Sequence, residues 1–332
     1  MKIKKYHRKK GAWLWVIAAT LFLAGTLCPP QSHAQLPARF YWKTLSGANA
    51  VPLIVESVSG NTNPFDPAHS VSADADIDAT LAMMGYAKFF PLFDRASMAA
   101  IILPMGRISG DTTVAGVAFS QSAQGFGDPT LEFVINLFGP PAQMNIPDAL
   151  RYEPGFSVDL LVDFMVPIGE YDDDQALNIG QNRWYGRLGM PIIWQLGSWV
   201  PGRRTTLEFL PVVWWFGDND DYVGQTMETD PLFQLDAHLT RDFTEHLWGS
   251  VDGTWYSGGE SSINDIPGEK LNDAGLGLTL GYQINDNLSL TVSYKSTIND
   301  DAPDDLRMDN FMVSFVYGWH KLIEGSRRLK DE

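Results

Sequence analysis

The side chains able to do acid–base or metal chemistry are few and far apart in this sequence. The 332 residues include six histidines and one cysteine, Cys28. His238 and His246 lie on either side of one predicted tight turn, which is a hairpin position and not a spacing of metal ligands. The sequence therefore predicts no metal site, no cofactor and no disulfide framework.

The sequence also lacks the motifs of nucleophilic catalysis. The sequence contains neither a G-x-S-x-G nucleophile elbow nor a phosphate-binding loop. His238 with a neighbouring Ser or Asp has the residue types of a hydrolase triad, as in outer-membrane phospholipases. Those enzymes use lipid-facing residues, whereas strand alternation turns His238 to the opposite face. We therefore expect no catalytic residue and no enzymatic activity.

Acidic clusters are the remaining candidates for ion binding. A D-x-D-x-D run at residues 74–78 fails as an EF-hand, because residue 79 is not glycine and residue 85 is not glutamate. The clusters at 172–174 and 218–221 could bind divalent cations or bridge lipopolysaccharide phosphates. Solvated loops that keep a surface hydrophilic have the same composition, and we favour that interpretation.

Alternation of apolar and polar residues is the dominant pattern in the chain. In residues 287–296, for example, four apolar side chains share one face and four polar ones share the other. Such segments are predicted at 40–58 (the weakest), 75–90, 97–109, 129–138, 156–166, 183–196, 204–216, 232–243, 247–256, 274–284, 287–296 and 308–319. The chain is therefore predicted to be all-β, with about twelve strands.

Three features favour a membrane barrel over a soluble sandwich. Aromatic residues gather near strand ends, as in interfacial girdles, although core aromatics are the alternative. The girdle candidates are Trp184, Trp194, Trp215, Trp248, Trp255 and Trp319. Long connections, several of them acidic, alternate with short ones, and the stretch at 139–153 is the exception. The fold class predicted is an antiparallel transmembrane β-barrel.

The N-terminus has the form of a secretory signal. Residues 1–34 contain a basic n-region, an apolar stretch at 12–27 and a small-residue cleavage site ending at Ala34. A retained anchor and a lipoprotein at Cys28 are weaker alternatives. Cleavage would change the net charge from −16 to −22, because all six charges removed are positive. An acidic protein of this kind is not a general nucleic-acid binder.

The remaining chain divides into three parts. Residues 35–70 show no clear alternation of apolar and polar residues and are either a constriction or the first strand. Residues 71–319 are the predicted outer-membrane barrel, and residues 320–332 form a polar tail. We expect the mature protein in the outer membrane of a Gram-negative bacterium.

The polar strand faces define the candidate lumen. If the apolar faces meet lipid, ten charged or titratable side chains point inward. They are Glu132, Asp159, Asp163, Arg183, Arg187, Glu208, Asp236, His238, Asp252 and Lys295. Strand parity places Arg183 and Arg187 on the same side as Asp159 and Asp163, which predicts cross-strand charge pairs. The set fits either a charged translocation path or an internal network that plugs a narrow barrel.

A set of motifs runs through the predicted barrel. They are Gly125-Phe126-Gly127-Asp128-Pro129, Pro167-Ile168-Gly169-Glu170-Tyr171-Asp172, Leu177-Asn178-Ile179-Gly180-Gln181-Asn182-Arg183-Trp184, Asp218-Asn219-Asp220, Leu247-Trp248, Tyr256-Ser257-Gly258-Gly259 and Asn272-Asp273. Read singly, most of these motifs indicate turns and strand starts. In this order, over roughly residues 75–318, they resemble the outer-membrane transporter family labelled "MetA-pathway of phenol degradation".

The resemblance implies an outer-membrane barrel associated with the uptake of aromatic or other hydrophobic compounds. One departure concerns the C-terminus. Many such barrels end on an aromatic residue that the assembly machinery reads, whereas here a polar tail follows Trp319.

The functional expectation is a channel for small molecules, aromatic or hydrophobic ones among them, that works by passive diffusion. The alternatives are a non-conducting structural or interaction barrel with a filled lumen, and a secreted soluble β-protein. The expected partners are outer-membrane lipid and lipopolysaccharide, the barrel-assembly machinery and a small-molecule solute, with no nucleic acid.

Overall fold

The structure, a computed structural model, describes residues 37–114, 117–298 and 302–324. The predicted signal peptide at 1–34 and the end of the polar tail, 325–332, lie outside the described residues. The strands are β1 Asn49–Gly60, β2 Asp76–Leu92, β3 Arg95–Val114, β4 Val117–Phe126, β5 Thr130–Phe138, β6 Phe156–Met165, β7 Tyr185–Gly189, β8 Ile192–Gln195, β9 Thr205–Phe216, β10 Asn219–Tyr222, β11 Gln225–Thr229, β12 Leu232–Asp242, β13 Leu247–Gly258, β14 Ser261–Ile263, β15 Ile266–Pro267, β16 Leu271–Gln283, β17 Leu288–Thr297 and β18 Met308–Trp319. A short helix, α1, spans Ile146–Arg151.

Within the described residues, the strands form a closed antiparallel barrel of twelve. β4 and β5 follow one another along β3, and β7 and β8 do the same between β6 and β9, so each of these pairs counts as one barrel strand. The first and last strands close the wall, since β1 pairs with β18 from Asn49 opposite Trp319 to Gly60 opposite Met308. The predicted barrel of about twelve strands is confirmed.

The barrel begins at Asn49, within residues 35–70, for which a constriction and a first strand were the two open alternatives. The first strand was the weakest in the sequence because both of its faces are largely apolar. Leu53 and Val55 point outward, whereas Ile54 and Val58 are buried inside. A strand without polar residues on one face loses the alternation that marks its neighbours.

The connections differ at the two ends of the barrel. Short turns at 93–94, 243–246 and 284–287 lie at one end, together with the exceptional connection that carries α1. The longer connections lie at the opposite end, and two of them contribute β10, β11, β14 and β15 to a separate small sheet. In bacterial barrels short turns face the periplasm and long loops face outward, which orients this one.

The outer surface of the wall is apolar. On β16, Leu276, Leu278 and Leu280 are exposed, whereas Thr279 between them is buried. Exposed leucines that alternate with buried polar residues are the reverse of a soluble sandwich and match the lipid-facing side of a membrane barrel. This pattern argues against the secreted soluble β-protein.

Among the described residues, no helix is both long enough and apolar enough to span a bilayer.

A charge placed on the middle of the lipid-facing surface should destabilise the barrel. We expect Leu278→Arg to lower the free energy of unfolding by about 2–4 kcal/mol, because an arginine near the bilayer midplane loses its hydration. Urea unfolding in lipid vesicles measures this. Ile266→Arg, on the exposed small sheet, is the matched control and should change little. Equal effects of the two substitutions would contradict the assignment of the lipid-facing surface.

Candidate functional site: the interior of the barrel

Residues 37–48, here called the inner segment, lie inside the barrel at its short-turn end. Arg39 Nη1 lies 2.6 Å from Asp242 Oδ1, and Lys43 Nζ lies 2.8 Å from Asp159 Oδ1. All four side chains are nearly buried. The wall at this level is acidic, so a basic segment neutralises charges that would otherwise be buried without a partner.

Stacked rings and guanidinium groups hold the inner segment in place. Trp42 donates its indole N–H to Glu208 Oε1 at 2.7 Å. The Arg39 guanidinium carbon lies 4.2 Å from the centre of the Trp42 ring and 4.5 Å from that of Trp248. The Arg204 guanidinium carbon lies 5.1 Å from the centre of the same Trp42 ring. Such cation–π contacts gain strength where water is displaced.

A second segment fills the opposite end of the lumen. Residues 61–75, here called the inward loop, connect β1 to β2 and place Asp66 against Arg183, whose Nη2 lies 2.9 Å from both carboxylate oxygens. His69 packs edge-on against the Tyr256 ring, with the ring centres 5.1 Å apart. The loop therefore closes the lumen from the long-loop side.

Between these segments, three charged residues form a row across three strands. Glu132 on β5 faces Asp163 on β6, and Asp163 faces Arg187 on β7. Arg187 Nε donates to Asp163 Oδ2, and its Nη2 lies 3.7 Å from Glu132 Oε2. Tyr41 of the inner segment donates its hydroxyl to Glu132 Oε2 at 3.3 Å. We call Glu132, Asp163 and Arg187 the charged row.

The facing wall carries a more completely hydrogen-bonded network. His238 Nδ1 lies 2.7 Å from Asp252 Oδ1, and Ser250 and Thr279 donate to the same carboxylate. Thr254 donates to Asp236 at 2.9 Å. In this arrangement the Ser250 hydroxyl bonds to the carboxylate and not to the imidazole, which differs from the order of a hydrolase triad.

The ten candidate lumen residues are all buried on the inner side of the barrel. The predicted pairing of Arg187 with Asp163 is present. Arg183 and Asp159 are not paired with each other, because Arg183 precedes β7 and reaches Asp66, while Asp159 binds Lys43. That these residues line the path of a solute stays a prediction.

The sequence interpretation missed the partners that fill the lumen, namely Arg39, Trp42, Lys43 and Asp66. Their segments do not alternate, and the sequence indicates for residues 35–70 only a constriction or a first strand, without specific contacts. A usable signal was present, since Arg39 and Lys43 are two basic residues that directly precede a barrel whose predicted interior is mainly acidic.

One predicted girdle residue was wrong. Trp248 faces the lumen, where it stacks beneath Arg39. Its register partner is Gly281, and a Cβ atom at that position would lie 2.0 Å from the Trp248 ring, so glycine makes room for the indole. The exposed Trp184, Trp194, Trp215 and Trp255 lie on the outer surface, and Trp319 packs there against Tyr86 and Tyr317.

The two larger lumen cavities among the described residues lie on either side of the inner segment. The upper cavity measures about 200 Å³ and is lined by Phe65, His69, Leu81, Met165, Trp214 and the charged row, among others. The lower cavity measures about 330 Å³ and is lined by Arg39, Trp42, Trp248 and polar residues of β16 and β17, among others. Pro37 lines both, so the inner segment is the partition between them.

Three of the motifs named above are joined by hydrogen bonds to one carboxylate, that of Asp128. Asp128, in the break between β4 and β5, accepts hydrogen bonds from the backbone N–H groups of Gly169 and Gln181, each at 2.8 Å. Gly169 and Gly180 pack so closely that a Cβ on either would lie within 3.0 Å of the other. The carboxylate thus fixes the long connection between β6 and β7 to the barrel wall where the β-ladder is interrupted.

A sequence model of the family described as "Putative MetA-pathway of phenol degradation" matches residues 60–315. The chain belongs to this family. A search of curated proteins found no match.

Solved structures give the same fold. The COG4313 outer membrane channel from Pseudomonas putida F1 is 17% identical, with a TM-score of 0.69, and the match covers 86% of this chain and 100% of that one. The transport unit of the autotransporter AIDA-I from Escherichia coli is 10% identical, with a TM-score of 0.50 and coverage of 94% and 99%. This member of the MetA-pathway family therefore has an outer-membrane-type barrel fold.

The acidic cluster at Asp172, Asp173 and Asp174 is fully exposed, and its oxygens lie within 4.8 Å of one another. Exposure and hydrogen bonds within the cluster agree with a solvated loop.

Removing the indole that anchors the inner segment should widen the lumen. We expect Trp42→Ala to raise single-channel conductance, because Arg39 loses one of its two stacking partners and Glu208 loses a donor. Planar bilayer recording measures this. Trp184→Ala, on the outer surface, is the matched control and should leave conductance unchanged. An unaltered Trp42→Ala channel would mean that the inner segment does not limit conduction.

Lowering the pH should destabilise the inward position of the inward loop, because His69 is buried there. Burial lowers the pKa of the His69 imidazole to about 4, against an ordinary value of 6.5, and the nearby Asp66 opposes this shift only in part. The released loop takes up a proton below pH 6.5, whereas the buried one does so only near pH 4. The inward position therefore loses stability as the pH falls through this window, by on the order of 3 kcal/mol at pH 4.

His69→Asn tests this assignment. Asparagine tolerates the φ of 52° that His69 adopts, and it carries no titratable group. Urea unfolding of both proteins in micelles between pH 7 and pH 4.5 should show a smaller loss of stability in the variant. Parallel pH profiles would assign the acid sensitivity to other groups.

Proposed function

We propose that the protein is a channel of the Gram-negative outer membrane. It passes small molecules, aromatic or other hydrophobic compounds among them, by passive diffusion without a cofactor. The observation that carries this proposal is the pair of cavities in series within one lumen, separated by the inner segment around Pro37. Membership of the MetA-pathway family supports the solute class.

The lining of the cavities suits a solute that is mainly apolar with one polar group. Phe65, Leu81 and Met165 supply apolar walls in the upper cavity, and the charged row supplies the polar side. Diffusion through such a lumen needs both the inner segment and the inward loop to shift. Both are held by side-chain ion pairs and not by continuous β-pairing, so each can move without opening the wall.

A second candidate is the non-conducting interaction barrel. It is favoured by the extent to which the inner segment and the inward loop fill the lumen from both ends. In that case the long external loops carry the function.

Bilayer recording separates the two candidates. We expect the refolded protein lacking residues 1–34 to give steady single-channel conductance, and liposomes containing it to take up phenol faster than empty liposomes. A heat-modifiable shift in gel mobility verifies folding in the same preparation. A folded but silent barrel would overturn the channel and favour the interaction barrel.

Ion selectivity tests the position of the charged row in the path. We expect Arg187→Gln to increase the permeability ratio of K⁺ to Cl⁻ several-fold, because Glu132 and Asp163 lose their shared counter-charge. The reversal potential in a KCl gradient measures this ratio. Arg241→Gln, on an exposed residue next to the short-turn end, is the control. Unchanged selectivity in Arg187→Gln would remove the charged row from the conduction path.

A further inference from the structure

We propose that the upper cavity binds a small primary ammonium ion with a compact apolar body, held by Glu132 and Asp163. This inference rests on the proposed function and names a solute class for the same lumen. It extends the aromatic and hydrophobic class to solutes that carry a positive charge.

The first observation is a pair of acceptor atoms without donors. Within the described part of the chain, neither Glu132 Oε1 nor Asp163 Oδ1 accepts a hydrogen bond, although both side chains are only 1% exposed. The second oxygen of each carboxylate is turned toward Arg187. Buried acceptors are almost always satisfied in folded proteins, so two neighbouring exceptions on one cavity wall call for a donor.

The second observation is the charge balance of the cavity. Four carboxylates line it, those of Glu56, Asp128, Glu132 and Asp163. Among the described residues that line it, Arg187 is the one permanently charged cation. Glu56 and Asp128 have their own donors, since Asn310 binds the first and backbone N–H groups bind the second. The charge left without compensation therefore lies at the charged row.

The chemistry of the two free oxygens selects the kind of cation. An ammonium group has three donors and can therefore bridge two facing carboxylates. Lower in the barrel, the Lys43 ammonium already bridges two acceptors, the Asp159 carboxylate and the Ser157 hydroxyl. A divalent metal ion would need about six oxygen ligands, which this partly apolar cavity does not offer.

The other walls of the upper cavity determine the size and polarity of the ligand that fits. Phe65, Leu81, Met165 and Trp214 surround the space opposite the charged row. The volume of about 200 Å³ is smaller than the roughly 300–1,000 Å³ of sites for drug-sized ligands. The cavity therefore fits a molecule with one ring or a short branched chain, with the charge at one end.

Calorimetric titration of the full-length mature barrel in micelles tests the proposal. The probes are 2-phenylethylammonium, 2-phenylethanol and phenylacetate at pH 7, which share a ring and differ in the charge of the head group. We expect the ammonium compound to bind at least tenfold more tightly than the alcohol, and phenylacetate to show no saturable binding. Equal binding of ammonium and alcohol, or no binding of the ammonium, would overturn the proposal.

Variants locate the site. Glu132→Gln and Asp163→Asn should each weaken binding of 2-phenylethylammonium at least tenfold, and heat-modifiable mobility confirms that each variant folds. Asp174→Asn removes the same charge from an exposed loop and should leave binding unchanged. If Asp174→Asn weakens binding as much as the other two, the attraction is general and the assigned site is wrong.

Conductance of the same preparation separates this inference from the proposed function. A conducting barrel that does not bind the ammonium overturns the inference alone. A silent barrel that binds it overturns the channel and leaves a ligand-binding barrel.

Discussion

The pairing of every backbone N–H and C=O group across the bilayer is the constraint on which this structure depends. Lipid offers no hydrogen bonds, so the wall must close on itself, and the full-length pairing of β1 with β18 achieves that. Closure without a disulfide agrees with a chain whose single cysteine lies in its first 34 residues. Once the wall is closed, side-chain alternation sends one face to lipid and the other into the lumen.

Charged side chains cannot face the lipid and therefore lie in the lumen. Buried carboxylates such as Asp159 and Asp242 are costly unless a cation with good geometry compensates them. The inner segment brings Arg39 and Lys43 to these two residues, and Arg183 plays the same part for Asp66 of the inward loop. Filling the lumen is therefore an electrostatic requirement of the acidic wall.

The charged row departs from this rule of full compensation. The network around Asp252 on the facing wall has several donors to one carboxylate, whereas Glu132 and Asp163 share Arg187. Other buried atoms of the described residues, such as Arg183 Nε and His69 Nδ1, also lack a partner, but Glu132 and Asp163 are two incompletely satisfied carboxylates in adjacent register positions. Incomplete satisfaction of neighbouring charged groups is expected at a functional site. Because the charged row lines an apolar cavity, its incompletely bonded carboxylates face a space that can hold a ligand.

The sequence by itself did not indicate β4 or the four strands of the small sheet, which lie in stretches predicted to be loops. It determined the other barrel strands, their antiparallel order and which side chains face inward, because a period of two residues and the length of each connection are local properties. All ten candidate lumen residues follow from that parity. Strand parity also predicted the pair of Arg187 and Asp163, whereas only the tertiary structure decided the partners that come from the lumen-filling segments. Lys43 meets Asp159 and Arg183 meets Asp66 across separations of 116 and 117 residues, through segments without alternation. Strand parity places Trp248 on the same inward face as Asp252, but the space for its indole depends on Gly281 of the neighbouring strand, which only packing across the barrel decides.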